Sequence, residues 1–500
     1  DKVVEFHNNA MLAGAATHVT NVLGNVQSAL DLFVQAPLEI QTNRLMKFFG
    51  AYDPTGRMPG EMKYIWDGIQ PGWAQGKRNA MIAFQTEAPV MTNENNWGAT
   101  GHTAIGSVNI LGKRVNVGRA IRLGGYTPLQ MADEFATALY ANMSAGSSAY
   151  RLGKMNGLDG KELQDFINHQ LTTPNSMAWR MAQHHALELT YHQKLTGFPK
   201  AVHDAANWLN NVMPIPVIDL FVAPFRGFPI RAGAVALRKT PAGSLALGYN
   251  IFKNIREGRP AFTGVSRRLT EQFIALSITG LLLHYIQPDD PIITGASKAP
   301  DGYPRTSIKI LGKWYNYGRL EPISTVLSMI VDGIMSAKTD SASDKLAAIY
   351  EIPKDTIGNK TFLRGIADIL DLFGMTKETS DSNTLDRVVR WSERYGESFV
   401  PNFYKQLFRA SRESREEDKV IGTSTKERVK SAASRFASAV APVGYEAKID
   451  AWGRRMSSGH APGYSSPATD FIWRTLSPVY NTDQGPTVGD RIYARYNATH

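Results

Sequence analysis

The sequence predicts a mainly α protein: elongated, built of many helices, with two short β-hairpins and an extended C-terminal tail. Three observations predict it. Apolar residues recur at helical spacing through most of the chain. Two stretches, ILGKRVNVGR from Ile110 and ILGKWYNYGR from Ile310, agree at seven of ten positions. Each places two short alternating runs around a Gly-Lys pair, the pattern of a tight hairpin. The final 45 residues are rich in Gly, Ser, Pro and Tyr and read as extended chain.

Composition narrows the function classes. With 43% hydrophobic and 20% charged residues, the 500-residue chain can bury a core. Its 55 basic groups against 45 acidic ones leave a net charge of +10. That balance suits proximity to DNA, RNA or anionic lipid. The excess is modest, and a soluble protein that happens to be basic fits it equally well. The absence of cysteine excludes disulfides, zinc–thiolate sites and cysteine nucleophiles. The first residue is Asp1, which reads as a fragment or processed product of a longer chain.

The elements follow in order. Residues 1–107 form a helical and loop region. Leu12, Val19, Val22, Leu23, Val26, Leu30, Leu32 and Phe33 set the helical period over 8–50; residues 51–80 are mixed, and 86–107 are polar loop. Residues 108–260 begin with the first hairpin, with Gly112 at the first turn position. A helix then restarts at Thr127 as N-cap, with Pro128 at its first position. Residues 261–336 hold the most apolar run of the chain, Phe273 to Ile286, then the second hairpin and an apolar helix after Pro322. Residues 337–455 are charged and helical, and 456–500 form the tail.

Candidate chemistry is sparse. His184, Glu188 and His192 stand four apart and would share one helix face. The outer pair would lie about 12 Å apart, too far for one ion. Asp289 and Asp290, between prolines, read as a helix-ending loop with a polar anchor rather than an acid–base pair. No phosphate-binding loop, dinucleotide fingerprint or nucleophile elbow occurs. No catalytic, metal or cofactor residue is therefore expected. The run containing Phe273, Ile274, Leu276, Ile278, Leu281, Leu282, Leu283 and Ile286 is short for a bilayer span, which needs about 20 residues. It reads first as a buried core helix, and otherwise as a segment buried between subunits that later meets a membrane. Val212–Phe225 shares the membrane reading. In the second hairpin Trp314, Tyr315 and Tyr317 replace slimmer residues, which points to a subunit contact.

Three stretches carry a resemblance: NNAMLAGAATHVTNVLGN, NVGRAIRLGGYTPLQMADEFATALY, and the block from Leu269 through SIKILGKWYNYGRLEPISTVLSMIVDGI. In this order they resemble the C-terminal part of large polyvalent virion proteins of tailed bacteriophages, the ejection or internal virion proteins. They span roughly residues 8–335, and their order is more specific than any one of them. Ala13-Gly14-Ala15 departs from the Ser-Gly-Pro type turn of the family. The resemblance implies a non-enzymatic structural protein inside the capsid near the portal. It would be homo-oligomeric, in contact with portal or other internal virion proteins and close to genomic DNA. It would leave with the genome and help form a conduit across the host envelope, possible contact with the host membrane included. The alternatives are the non-catalytic end of a large virion-packaged polymerase or peptidoglycan hydrolase, or a fixed tail or portal-associated component.

Overall fold

The structure, a computed structural model, describes residues 2–91, 105–110, 113–194, 200, 204, 227–241, 243–297, 299–300, 303–320, 323–339, 405, 466–477 and 479–482. The charged helical region expected over 337–455, residues 337–339 and Lys405 apart, and the apolar Val212–Phe225 segment lie outside these residues. Thirteen helices and five short strands are present among the described residues, so the chain is mainly α.

A long central helix organises the first half. Helices α1 (Lys2–Leu12) and α2 (Ala15–Phe48) are separated by Ala13 and Gly14. Then come α3 (Glu61–Asp67) and α4 (Ile69–Thr86). The first hairpin is β1 (Ser107–Ile110) with β2 (Lys113–Asn116). It passes into α5 (Val117–Gly124) and the central α6 (Tyr126–Met155). Helices α3, α4, α7 (Gly160–Thr172) and α8 (Met177–Leu189) all lie against α6.

Small residues explain the close packing. On α4 a Cβ at Gly72 would meet the Leu139 carbonyl at 3.0 Å, and one at Gly76 would meet Phe135 at 2.8 Å. On α8, Ala178, Ala182 and Ala186 repeat every fourth residue and are fully buried. Such rows let helix axes approach closely. They also correct the reading of 51–80 as a mixed segment. Glycine lowers helix propensity, but packing against α6 outweighs it.

Helices α9 (Gly227–Arg238), α10 (Gly243–Arg256) and α11 (Val265–Tyr285) follow, with α10 against α11 and α11 against α2. The second hairpin, β3 (Ser307–Ile310) and β4 (Lys313–Asn316), precedes α12 (Ile323–Thr339). Ile286, Ile293, Tyr317, Ile330, Val331, Ile334 and Met335 form a second apolar core there. Asp332 anchors it by accepting hydrogen bonds from the amides of Ala296 and Ser297, each 3.0 Å.

The tail expectation needs correction. Part of it folds as α13 (Pro467–Leu476), capped by the Ser466 hydroxyl and lying against α2. Part of it is strand β5 (Tyr480–Thr482), which extends the second hairpin to three strands in the order β3-β4-β5.

Two local expectations also change. In the second hairpin Leu311 and Gly312 both have positive φ, 49° and 81°, so the turn is of the type I′ class and glycine holds its second place. Thr127 does not cap a helix. It is buried inside α6, which starts at Tyr126, whose amide donates to the Asn9 side chain at 3.0 Å. The intervening VGRAIRLG is itself helical, with its N-terminus capped by the Asn116 side chain at 2.9 Å from the Arg119 amide.

Candidate functional site

The interior between α2, α6, α8, α9 and α11 is ionic. Glu61, at the start of α3, is fully buried. It accepts from the Met58 amide at 2.7 Å, the Ser147 hydroxyl at 2.6 Å, and Arg151 Nε at 2.8 Å. Arg57 reaches both Glu61 (3.4 Å) and Glu39 of α2 (3.2 Å). Burial alone would raise the Glu61 pKa, but Arg151 and then Arg57 hold it below its ordinary value.

A second cluster adjoins the first. Glu188 of α8 pairs with Arg238 of α9 and Arg267 of α11, both at 2.8 Å. Glu271, one turn beyond Arg267, pairs with Arg238 at 2.9 Å and Arg267 at 3.6 Å. Burial works against the Glu188 charge, yet Arg267 and Arg238 hold its pKa well below the usual carboxylate range. His185 donates to or accepts from Ser144 across 2.9 Å. Burial, then the charges of Arg267 and Arg57, keeps its ring neutral, with a pKa well below ordinary histidine.

Asp53 fixes where α11 begins. Its carboxylate accepts from the amides of Gly264 (3.0 Å) and Ser266 (2.9 Å), two donors that a helix start leaves open. These backbone bonds hold its pKa below the ordinary value despite the opposing effect of burial. Together these groups enclose a half-open cavity of about 540 Å³. Seven cationic side chains line it against four carboxylates.

Of the expected residues, His184 and Glu188 line this cavity and the others fall elsewhere. The helix carrying His184 ends at Leu189, so His192 is off its face; His192 Nε2 lies 3.8 Å from Asp133 instead. Glu188 belongs to the arginine cluster, and no group of three His, Asp or Glu residues is placed to hold a metal among the described residues. Asp289 and Asp290 are the expected polar anchor: Tyr303 Oη donates to the Asp289 carbonyl and the Asp290 carboxylate, each at 3.1 Å.

The apolar run is not a buried core helix. Helix α11 buries Ser266, Thr270, Glu271, Gln272 and Ala275, whereas Phe273, Leu276 and Leu281 are 63%, 57% and 63% exposed. Ile278 and Leu283 are exposed too, Ile274 and Leu282 are half-buried, and among the large apolar residues of the run only Ile286 is buried. Leu269, Phe273, Leu276, Gly280 and Leu283 follow a four-three-four-three spacing on its outer face, the spacing of a coiled-coil seam. Leu245, Tyr249, Phe252 and Ile255 form a similar exposed stripe on α10. No helix among the described residues is long and apolar enough to cross a membrane.

The second hairpin turns its rings inward, which corrects its reading as a subunit contact. Trp314 is 1% exposed and meets Tyr303 edge-to-face at 5.7 Å. Tyr317 is buried in the apolar core, and its hydroxyl donates to the Thr294 carbonyl at 2.8 Å. Tyr315 alone stays half-exposed, opposite Ile308 on one side and Asn481 on the other.

Sequence reading met Glu188 only as part of a histidine face and missed the network it belongs to. The available signal was charge placed on the inner period of apolar helices, as Glu39 is on α2 and Glu271 on α11. No family model, no curated protein and no solved structure matches the chain.

Proposed function

We propose that the chain is a structural, non-enzymatic component of a tailed-phage particle. It is packaged near the portal, assembled from copies of itself, and released with the genome, where it contributes to a conduit across the host envelope. The observation that carries this reading is the exposed seam on α10 and α11. Phe273, Leu276 and Leu281 face solvent on a helix whose inner face is polar. Apolar surface of this extent is stabilised by association. The heptad-like spacing suits a second copy of the same helix, and open space around Gly280 allows close approach. The ordered resemblance over residues 8–335 supplies the virion setting, and the basic charge is compatible with DNA nearby.

Mass spectrometry of full and genome-emptied particles tests the reading. The chain should be abundant in full particles and depleted from emptied ones. Equal abundance in both would refute ejection and point to a fixed tail or portal-associated component.

A further inference from the structure

The interior cavity holds more cationic capacity than the protein itself uses, and we propose that it binds a small phosphate-bearing molecule. Its carboxylates are already engaged. Glu39 is held by Arg57, Glu188 and Glu271 by Arg238 and Arg267, and Asp53 by the amides that start α11. Arg268 lines the same space, half-buried, with no carboxylate at ion-pair distance among the described residues. Ser148 is buried against the cavity, and its hydroxyl has no hydrogen-bond partner among the described residues. Lys194 lines it as well and is exposed.

The unused groups are a guanidinium, a hydroxyl and an ammonium: two cations and three kinds of donor in one space. An oxyanion is the matching ligand, and a phosphate satisfies a guanidinium fork with two parallel hydrogen bonds. The surroundings agree. Burial and the positive charge of Arg238 lower the pKa of Arg268, and burial with Arg267 and Arg57 lowers that of His185. The lining carries seven cationic side chains against four carboxylates, and an excess of positive charge repels a metal cation and attracts an anion. The volume, about 540 Å³, falls within the range of small-molecule sites and exceeds the needs of a lone phosphate ion. This site is independent of the outer seam and of the virion reading.

Isothermal titration of the full chain with inorganic pyrophosphate tests it, against sodium chloride at matched ionic strength. Saturable binding is expected with pyrophosphate and none with chloride. Arg268→Gln should weaken it by roughly tenfold or more, the worth of a charge-assisted hydrogen bond. That variant should melt with the wild type when no ligand is present, because no ion pair is removed. Lys194→Gln, at an exposed position that does not threaten folding, should weaken binding by a smaller factor and carries the test if Arg268→Gln does not fold. Absence of saturable binding, an equal response to chloride, or unchanged affinity in the folded variants would overturn the proposal.

Discussion

Helix α11 divides into two unlike parts. Its first two turns bury Ser266, Thr270, Glu271 and Gln272, while the turns beyond expose Phe273, Leu276 and Leu281. Helix α2 differs in carrying apolar side chains on both its buried and its exposed face. On one face it buries Leu32, Ala36, Ile40 and Met46 together with Ser28, Glu39 and Asn43, and on the other it exposes Val22, Val26, Leu30 and Val34 at four-residue intervals. The usual arrangement has the apolar stripe inside. Here ion pairs between α2, α3, α6, α8, α9 and α11 share the interior with the apolar cluster around Leu32, Ala36, Ile65 and Tyr140, and further apolar side chains face solvent. Polarity inside specifies how the helices meet. Apolarity outside supplies a reason to associate.

The comparison can be broken from the inside first. Glu61→Ala leaves Arg57 and Arg151 buried without their shared carboxylate and should cost about 3–5 kcal/mol in urea unfolding. A loss below about 1 kcal/mol would mean the network contributes little to holding the helices. Trp314→Ala, in the apolar core of the second hairpin, should cost about 3 kcal/mol. Arg114→Ala on the exposed first hairpin should stay within about 0.5 kcal/mol. Equal costs would contradict the different burial of two nearly identical motifs.

Buried titratable groups sharpen it further. Burial pushes the Asp133 carboxyl up from 3.8 to about 7, against hydrogen bonds from Asn21 and Asn25. The folded chain thus keeps a proton that the unfolded chain has lost. Its contribution is full below pH 3.8 and declines as pH rises to about 7. That displacement corresponds to about 4 kcal/mol. Asp133→Asn should recover roughly half of it at pH 8, because the new amide nitrogen needs its own acceptor. An unchanged unfolding curve at pH 8 would count against a strained carboxylate. His7 has the opposite sign: burial lowers its pKa from 6.5 to about 4, so stability present above pH 6.5 is lost as pH falls towards 4. His185 acts in the same direction. His7 and Asp133 thus oppose each other between about pH 4 and 6.5, and above pH 6.5 the loss of the Asp133 contribution should lower thermal stability as pH rises to about 7.

Much of the architecture was legible in the sequence. Helical periods and the two hairpins follow from apolar spacing and from the Gly-Lys turns, and both hairpins pair in the same register, Ser107 with Asn116 and Ser307 with Asn316. What sets them apart was not legible. Trp314 and Tyr317 suggested an interface, but β5, nearly 170 residues later, and Tyr303 turn that hairpin into core. Helix α4 was hidden because Gly72 and Gly76 serve contacts with a helix some 60 residues away. The ionic interior was hidden for the same reason. Glu39, Glu61, Glu188 and Glu271 look like ordinary surface charges until tertiary contacts bring arginines to them. The outer seam was seen as an apolar run, yet its direction depends on which face the buried Glu271 and Gln272 claim.

The smallest expected change in stability tests the central claim most directly. Phe273→Ser with Leu276→Ser alters exposed positions and should shift unfolding by no more than about 0.5 kcal/mol. Mass photometry of the full chain and of this double variant then reads assembly alone. The wild type should form a discrete oligomer and the variant should run as a monomer with an unchanged melting temperature. A monomeric wild type, or a variant that assembles as the wild type does, would contradict the assignment of the apolar exterior to assembly.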